Sequence, residues 1–374
     1  MKTLKHKIIK KPRITVYLPS LSGGGAERVM LTLANGFLSD NTRVDLVLAN
    51  AVGPYLKDIS PSIRLIDLHS DRVLKSLPKL ICYFRQERPD AVLTAMTHAN
   101  IIVIFAIWLS RIKTKLVISE RVDISGLDKT ENLLGRLFIN CLMKMTYRYA
   151  HKLVAVSRGV ASGIIESLKL PADFVDVIYN PVNLKQISIL SLESPTHPWF
   201  FDGGPPVIIA AGRLSQQKNF SLLINAFSEL RKNILARLII IGEGEDRVHL
   251  EALILKFGME ADIQLPGFVE NPYSWFRSSS VFVLSSRWEG LPNVLIEAMA
   301  CGVPVVSTDC PSGPAEILEN GKWGKLVPLD GQKEMAVAIA EALRKPKPSS
   351  NKFFEKFALE TVVAKYRSLL VDDK

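Results

Sequence analysis

Thirteen short apolar runs recur along the chain at helix-length intervals, and no other feature constrains the fold as tightly. The first series covers residues 14–18, 43–48, 63–68, 91–94, 116–119, 153–156 and 175–179. The second covers 207–211, 237–241, 263–266, 281–285, 304–307 and 325–327. Strands spaced in this way by helical segments build βαβ units, whose crossovers give parallel sheets. A run such as Val207-Ile-Ile-Ala-Ala211, apolar at every position, suits a strand covered on both faces. The rhythm breaks over residues 188–206, where Pro195, Pro198, Gly203, Gly204, Pro205 and Pro206 gather, and this reads as an interdomain linker. A second soft point is Lys345-Pro-Lys-Pro-Ser-Ser350, followed by Phe353, Phe354, Phe357 and Tyr366 on a terminal helix. The expected fold class is α/β: two doubly wound domains facing each other across a cleft, with ligands beyond the carboxyl ends of the strands.

Composition narrows the class. A chain of 374 residues that is 48% hydrophobic and 22% charged is globular rather than disordered, and long enough for two domains. No apolar run reaches the roughly 20 residues that span a bilayer, and the longest, 101–109, reads as a buried helix. The basic start, residues 1–7, precedes an apolar stretch too short for a signal peptide. Cys82, Cys141, Cys301 and Cys310 show no metal-ligand or Cys-x-x-Cys spacing and read as reduced core residues of a cytoplasmic protein. Charge divides unevenly. Residues 1–190 hold 27 Lys and Arg against 15 Asp and Glu, whereas 191–374 hold 20 against 22. A basic first half suits an anionic partner such as a phospholipid surface or a phosphate-bearing acceptor, or serves solubility alone. Nucleic acid is set aside, because there is no recognition motif or set of stacking aromatics.

The segment Glu289-Gly-Leu-Pro-Asn-Val-Leu-Ile-Glu297 carries the most chemistry. Pro292 suits the first position of a helix, and Gly302 suits its end. Glu289 then lies in the loop before the helix, and Glu297 about one and a half turns inside. A helix N-terminus presents free N–H groups and attracts phosphate. Phosphate there, with a carboxylate on either side for hydroxyls, describes a nucleotide-sugar site.

Other candidates fall at strand ends. Gly23, Gly24 and Gly25 occupy a strand–helix turn that is neither Gly-x-Gly-x-x-Gly nor a P-loop. They allow a ligand close to free backbone N–H groups, or merely make a turn. Arg213 and Lys218 follow the first strand of the second half, with Asn219 as an N-cap. These two cations suit a diphosphate clamp, or an ordinary solvated loop. Gly242 and Gly244 leave room for a nucleotide, or form a tight acidic turn; Gly267-Phe268-Val269 could meet a base through backbone groups, or simply end a strand. His98 follows a first-half strand, as do Glu120 and Arg121, which either contact an acceptor or pair on the surface. Arg136, Lys144, Arg148 and Lys152 recur four or eight residues apart beside Leu133, Leu137, Leu142, Met145 and Tyr149. That pattern fits a helix resting on a membrane, or a plain amphipathic helix.

Together these pieces resemble the family-4 retaining glycosyltransferases of the two-Rossmann GT-B architecture. The carriers are Gly23-Gly-Gly-Ala-Glu27, Gly212-Arg213 with Lys218, Gly242-x-Gly244, the Glu289-x7-Glu297 pair and Pro304-Val-Val-Ser-Thr-Asp309. The resemblance implies an acceptor-binding domain over 1–190, joined by a returning terminal helix at 353–374, and a nucleotide-sugar domain over 191–352. It implies that Glu289 binds donor-sugar hydroxyls, and that the following Gly290, Leu291 and Asn293 belong to the nucleotide-sugar site. Glu297 would take the ribose hydroxyls, Arg213 and Lys218 the diphosphate, and His98 a place near the transferred sugar. The Gly23–Gly25 loop would lie beside diphosphate and acceptor. No cofactor or metal is implied; the donor would be a nucleoside diphosphate sugar, UDP favoured over GDP. A hexose or N-acetylhexosamine would pass, with retention, to a glycan or polyprenyl-diphosphate-linked acceptor in bacterial surface-polysaccharide assembly. The implied location is cytoplasmic, peripheral at the inner membrane face through the basic N-terminal domain. Two departures stand out: Asn180-Pro-Val-Asn183 where relatives often have Asn-Gly-Val-Asp, and Ser312-Gly313 in place of a glycine pair. The alternatives are a nucleotide-sugar epimerase on the same fold and an inactive nucleotide-sugar-binding scaffold. Oligomeric state is not legible.

Overall fold

The computed structural model describes residues 11–38, 42–121, 133–201, 203–344 and 352–371. The basic start of the chain and the soft point at 345–350 lie outside the described residues. The first seven apolar runs form strands β1 (Arg13–Leu18), β2 (Arg43–Leu48), β3 (Arg64–Asp67), β4 (Ala91–Ala95), β5 (Lys115–Glu120), β6 (Lys152–Ala155) and β7 (Val175–Val177). They make one parallel sheet in the order β3-β2-β1-β4-β5-β6-β7. The next six are β8 (Val207–Ala211), β9 (Arg237–Ile241), β10 (Ile263–Gly267), β11 (Val281–Leu284), β12 (Val305–Thr308) and β13 (Lys325–Val327). They make a second parallel sheet, β10-β9-β8-β11-β12-β13. The central strands are covered on both faces: every residue of β4, β8 and β11 is buried, as their almost wholly apolar sequences require.

Both sheets reverse their order of growth beside their first strand. β1 pairs with β2 on one side and β4 on the other, Ile14 lying opposite both Val44 and Ala91. β8 likewise lies between β9 and β11, with Ile208 opposite Leu238 and Val281. In an open α/β sheet this switch point leaves a crevice beyond the strand ends. Each domain therefore offers one such crevice.

Helices α1 (Gly25–Gly36), α2 (Leu77–Glu87), α3 (Thr97–Ser110), α4 (Leu133–Thr146), α5 (Arg158–Leu168) and α6 (Leu184–Leu190) serve the first half. The second half carries α7 (Phe220–Arg231), α8 (Arg247–Phe257), α9 (Pro272–Ser278), α10 (Asn293–Ala300), α11 (Pro314–Ile317) and α12 (Gln332–Leu343). The apolar segment 101–109 is the body of α3, with Ile101, Ile102, Val103, Ile104 and Ala106 buried; Trp108 and Leu109, at its far end, are exposed. The chain then returns. Val182 N–H donates to the Phe357 carbonyl at 2.8 Å. The last helix, α13 (Leu359–Leu370), sinks Val362, Val363, Tyr366 and Leu370 into the core of the first sheet. It lies so close to α1 that a Cβ on Gly36 would meet Val363 at 2.5 Å.

Three local readings change. The 188–206 segment is packed rather than bare: His197 hydrogen-bonds Gln264 at 2.7 Å and meets Trp199 and Trp275 edge-on. Cys82 and Cys141 are exposed, because they fall on the solvent faces of α2 and α4; only Cys301 and Cys310 are core residues, and all four are free thiols. Asn219 does precede α7, but it sits in the left-handed region at φ 49° and gives no side-chain cap. By contrast Asn183 caps α6, its Oδ1 accepting from the Gln186 N–H at 3.1 Å. Ser312 adopts a left-handed φ of 62° before Gly313, so the turn survives without a glycine pair.

Candidate active site

The predicted site residues collect at the two switch points. Gly23–Gly25 and His98 follow β1 and β4; Arg213 with Lys218, and Glu289, follow β8 and β11. On the second domain the two loops are stitched together. Gln217 donates to the Trp288 carbonyl at 2.9 Å, the Arg287 N–H to the Gln217 carbonyl at 2.8 Å, and Ser285 Oγ to the Lys218 carbonyl at 2.8 Å.

This stitching brings Lys218 and Glu289 into direct contact, Nζ to Oε1 at 2.5 Å. Ser286 Oγ donates to the same oxygen at 2.7 Å. Both side chains are largely buried. Oε1 is thus committed, while Oε2 carries no hydrogen bond among the described residues and is free to accept from a ligand hydroxyl. Arg213 stands on the same loop, exposed and without an ion pair among the described residues. The short helix α10 opens beside Glu289 with no side-chain cap on its first N–H groups. Pro292, expected as the first helical residue, is instead the N-cap, in extended backbone. Gly313 leaves room for its ring, since a Cβ there would stand 2.5 Å from the Pro292 Cδ. With Pro292 as the cap, Asn293 takes the first position.

Glu297 sits over one turn into α10 and reaches the domain boundary. Arg28 of α1 approaches its carboxylate at 3.9 Å, and the Tyr273 hydroxyl does so at 3.5 Å. Arg28 also donates to the Tyr273 hydroxyl at 2.6 Å. Burial raises the Glu297 pKa above the usual carboxylate range, against the opposing pull of Arg28 and Tyr273. Burial disfavours the Arg28 charge, but Glu297, Tyr273 and Tyr55 together outweigh it and raise its pKa. The bridge was not legible in sequence, since it depends on how the domains dock.

The glycine loop differs from expectation. Two of its N–H groups face inward: Gly23 and Gly24 donate to Glu27 Oε2 at 2.9 and 3.1 Å, while Ser20 Oγ donates to Oε1 at 3.0 Å. A carboxylate three residues into the helix satisfies donors that would otherwise lack partners. Gly23 needs its freedom, at φ +111°; a Cβ on Gly25 would meet nothing within 4 Å, so that position is the open one. Gly242 and Gly244 have a structural reason of their own. A Cβ on Gly242 would stand 1.9 Å from the Gly212 carbonyl oxygen, and one on Gly244 would stand 2.2 Å from that of Leu214. They admit the Arg213 loop itself. Phe268 follows the last residue of β10 and is 75% exposed, whereas Val269 packs on the core.

His98 is exposed in the first turn of α3. The residue before that helix, Met96, holds φ 76° and ψ 130°, a strained setting for a side chain with a Cβ. Glu120 anchors the turn from within, accepting from Thr97 at 3.2 Å, from Asn100 at 2.8 Å, and from the Tyr147 hydroxyl. Burial raises its pKa against those hydrogen bonds. Glu120 and Arg121 are therefore not a surface pair; both are buried, and they hydrogen-bond different partners.

The basic-apolar segment divides as well. α4 ends at Thr146, and Lys152 opens β6, where it bonds the Asp173 carbonyl at 2.5 Å. Leu142 is half-buried against the core. What faces solvent is Leu137, Phe138, Met145 and Tyr149 with Lys144 and Arg148, and Trp108 at the end of α3 is exposed as well. The side chains of Leu133 and Arg136 lie outside the described residues. No helix among the described residues is long and apolar enough to cross a membrane.

Two facing doubly wound domains with these loops define a GT-B glycosyltransferase. Residues 23–186 match the Glycosyltransferase Family 4 model, and residues 197–358 match that of Glycosyl transferases group 1. The chain belongs to the family-4 glycosyltransferases. It is 34% identical over 256 residues to an uncharacterized glycosyltransferase of Methanocaldococcus jannaschii, which covers 66% of this chain and 62% of that relative. A Campylobacter jejuni enzyme is 29% identical over 351 residues, covering 90% of this chain and 91% of its own. Its name is N-acetylgalactosamine-N,N'-diacetylbacillosaminyl-diphospho-undecaprenol 4-alpha-N-acetylgalactosaminyltransferase. Among solved structures, Anabaena HepE, in complex with UDP and glucose, superposes with a TM-score of 0.79 at 19% identity, over 96% of this chain and 99% of that one. The named relatives are transferases, which leaves the epimerase and scaffold readings without support.

Proposed function

We propose that this chain transfers a hexose or N-acetylhexosamine from a UDP-sugar, with retention, to a hydroxyl of a lipid-linked glycan during assembly of a bacterial surface polysaccharide. The single observation that carries the reading is the Lys218–Glu289 pair beside the uncapped start of α10. The diphosphate lies against that helix start, gripped by Lys218 and Arg213. Glu289 Oε2 meets the sugar, and Gly290, Leu291 and Asn293, at the helix start, line the diphosphate. Glu297 accepts from the ribose hydroxyls once Arg28 yields it, and the 267–269 turn borders the base. Gly25 and His98 bring the acceptor side of the cleft to the anomeric carbon. As the anomeric C–O bond to the β-phosphate breaks, charge grows on the phosphate, where the cations and helix dipole are aimed. The acceptor oxygen bonds the same face of that carbon and passes its proton to the leaving phosphate oxygen. Gly242 and Gly244 act through the placement of the Arg213–Lys218 loop.

The acceptor class is supported by the Campylobacter relative, whose name specifies a diphospho-undecaprenol-linked acceptor. The exposed apolar and basic face of α4 suits peripheral binding at the cytoplasmic face of the membrane. The test is turnover of UDP- and GDP-sugars on a diphospho-polyprenol-linked acceptor, by the wild type and by Lys218→Ala. UDP-sugar turnover is expected, with kcat lower by about 10²–10³ in the variant. Full activity in a folded Lys218→Ala protein removes the leaving-group role, and turnover of GDP-sugars alone corrects the donor.

A further inference from the structure

Arg121, at the carboxyl end of β5, is only 8% exposed and has no carboxylate within ion-pairing distance among the described residues. Its Nη1 donates to Asn180 Oδ1 at 2.7 Å, its Nη2 reaches only the Met30 sulfur at 3.2 Å, and its Nε has no partner. Burying a cation so poorly compensated is costly, and a fold that only needed to fill space could use an apolar side chain there. Asn180 in turn donates its Nδ2 to Asn293 Oδ1 at 2.7 Å, across the domain boundary. Asn293 is the first residue of α10.

The direction of this chain follows from chemistry. A guanidinium only donates. It therefore holds the carbonyl end of the Asn180 amide, so the NH2 end must face Asn293. Asn293 must then present its own carbonyl to Asn180, which leaves its NH2 group as the end still available; that group carries no hydrogen bond among the described residues. We propose that Arg121 is a positioning residue: through Asn180 it turns the Asn293 amide so that N–H donors, not a carbonyl oxygen, face the phosphoryl oxygens of the donor. This rests on the nucleotide-sugar reading above. It assigns the buried cation a task at the donor site that neither its own position nor its burial reveals. It also makes that donor polarity depend on the closed approach of the two domains, because Asn180 and Asn293 belong to opposite halves.

The discriminating variant is Asn180→Asp, measured by calorimetry with UDP and UDP-sugars and by thermal unfolding of the full chain. The carboxylate ion-pairs with Arg121, so the melting temperature is expected to hold or rise. Asn293 must then turn its NH2 back toward the boundary, and UDP affinity falls about tenfold or more. A purely structural role predicts unchanged affinity in this stable protein, and that result overturns the proposal. The added negative charge alone could also weaken phosphate binding, so the same substitution is placed on Asn293→Ala. If the effect runs through Asn293, no further loss occurs there; additive losses overturn the relay. Arg121→Gln, whose amide can either donate or accept, loses affinity, whereas Arg121→Lys, still donor-only, falls closer to wild type; equal behaviour of the two counts against it. Failure of the wild type to bind any UDP compound overturns the site reading and the relay together, while wild-type binding that Asn180→Asp leaves untouched overturns the relay alone.

Discussion

Glu297 shows how one residue can serve two partners in turn. Its carboxylate is held between burial, which favours the neutral form, and Arg28 with Tyr273, which favour the charged one; burial is the larger influence, and the pKa is raised. The ionised form accepts ribose hydroxyls on both oxygens in charge-assisted hydrogen bonds, whereas protonation turns one oxygen into a donor. As pH falls through the raised pKa, the carboxylate gains a proton and affinity for UDP is lost, beginning above the ordinary carboxylate range. Calorimetric titrations of UDP between about pH 8 and pH 4.5 should show this decline. Arg28→Ala removes one of the opposing influences, so the decline should begin at higher pH, and Glu297→Gln should bind weakly with a flat profile. A Glu297→Gln protein with wild-type affinity and pH dependence would remove the ribose assignment. The spacing of Glu289 and Glu297 was legible in sequence because one continuous segment, a loop running into a short helix, carries both. Arg28 and Tyr273 were not, since 245 positions separate residues that meet only when the domains dock. Glu120 and Arg121 were misread for a related reason: adjacent opposite charges suggest a surface pair, whereas alternation along a strand end sends them to different buried partners.

At the scale of elements the sequence is far more transparent. A strand buried on both faces must be apolar at nearly every position, so all thirteen strands among the described residues could be read from short apolar runs, with ends shifted by a residue or so. Helix ends were less legible: Pro292 is the N-cap of α10 rather than its first residue, and α4 stops at Thr146, so that Lys152 falls on β6. The loops depend on contacts from elsewhere. A glycine-rich turn reads equally well as a ligand cradle or as a tight turn, and only the neighbouring loop shows that Gly244 is required by the Leu214 backbone. Gly244→Ala should therefore act at a distance. A methyl group 2.2 Å from a carbonyl oxygen cannot be accommodated without displacing the 212–218 segment, which carries Arg213 and Lys218. The expected outcome is a folded protein, destabilised by about 1–3 kcal/mol, with donor affinity and kcat both reduced. Gly25→Ala, whose added carbon meets nothing, should be far milder in stability. Equal melting temperatures and equal kinetics for the two variants would refute the loop-packing account.

Across the whole molecule, the basic excess belongs to residues 1–190, and the same half carries the exposed apolar side chains of α3 and α4. Charge asymmetry was plain from the sequence, but its meaning was not, because the helical pattern also included Leu142 and Lys152, which the fold turns inward or onto a strand. The remaining surface pairs Trp108 (70% exposed), Phe138 (64%) and Tyr149 (71%) with Lys144 and Arg148. Aromatic side chains that enter the headgroup region, ringed by cations, give binding that depends on both apolar burial and anionic lipid. Each cation near such a surface contributes about 1 kcal/mol, and salt screens it. The protein should therefore cosediment with phosphatidylglycerol vesicles at about 50 mM salt, bind phosphatidylcholine vesicles far less, and be released as salt rises toward about 500 mM. Lys144→Glu with Arg148→Glu should abolish the salt-sensitive component, whereas Phe138→Ser with Tyr149→Ser should weaken binding at every salt concentration. Both pairs lie away from the two switch-point crevices, so turnover on a water-soluble acceptor should persist while turnover on a lipid-linked acceptor in vesicles falls. Equal binding to neutral and anionic vesicles, or variants that bind as the wild type does, would mean that this face meets water rather than lipid.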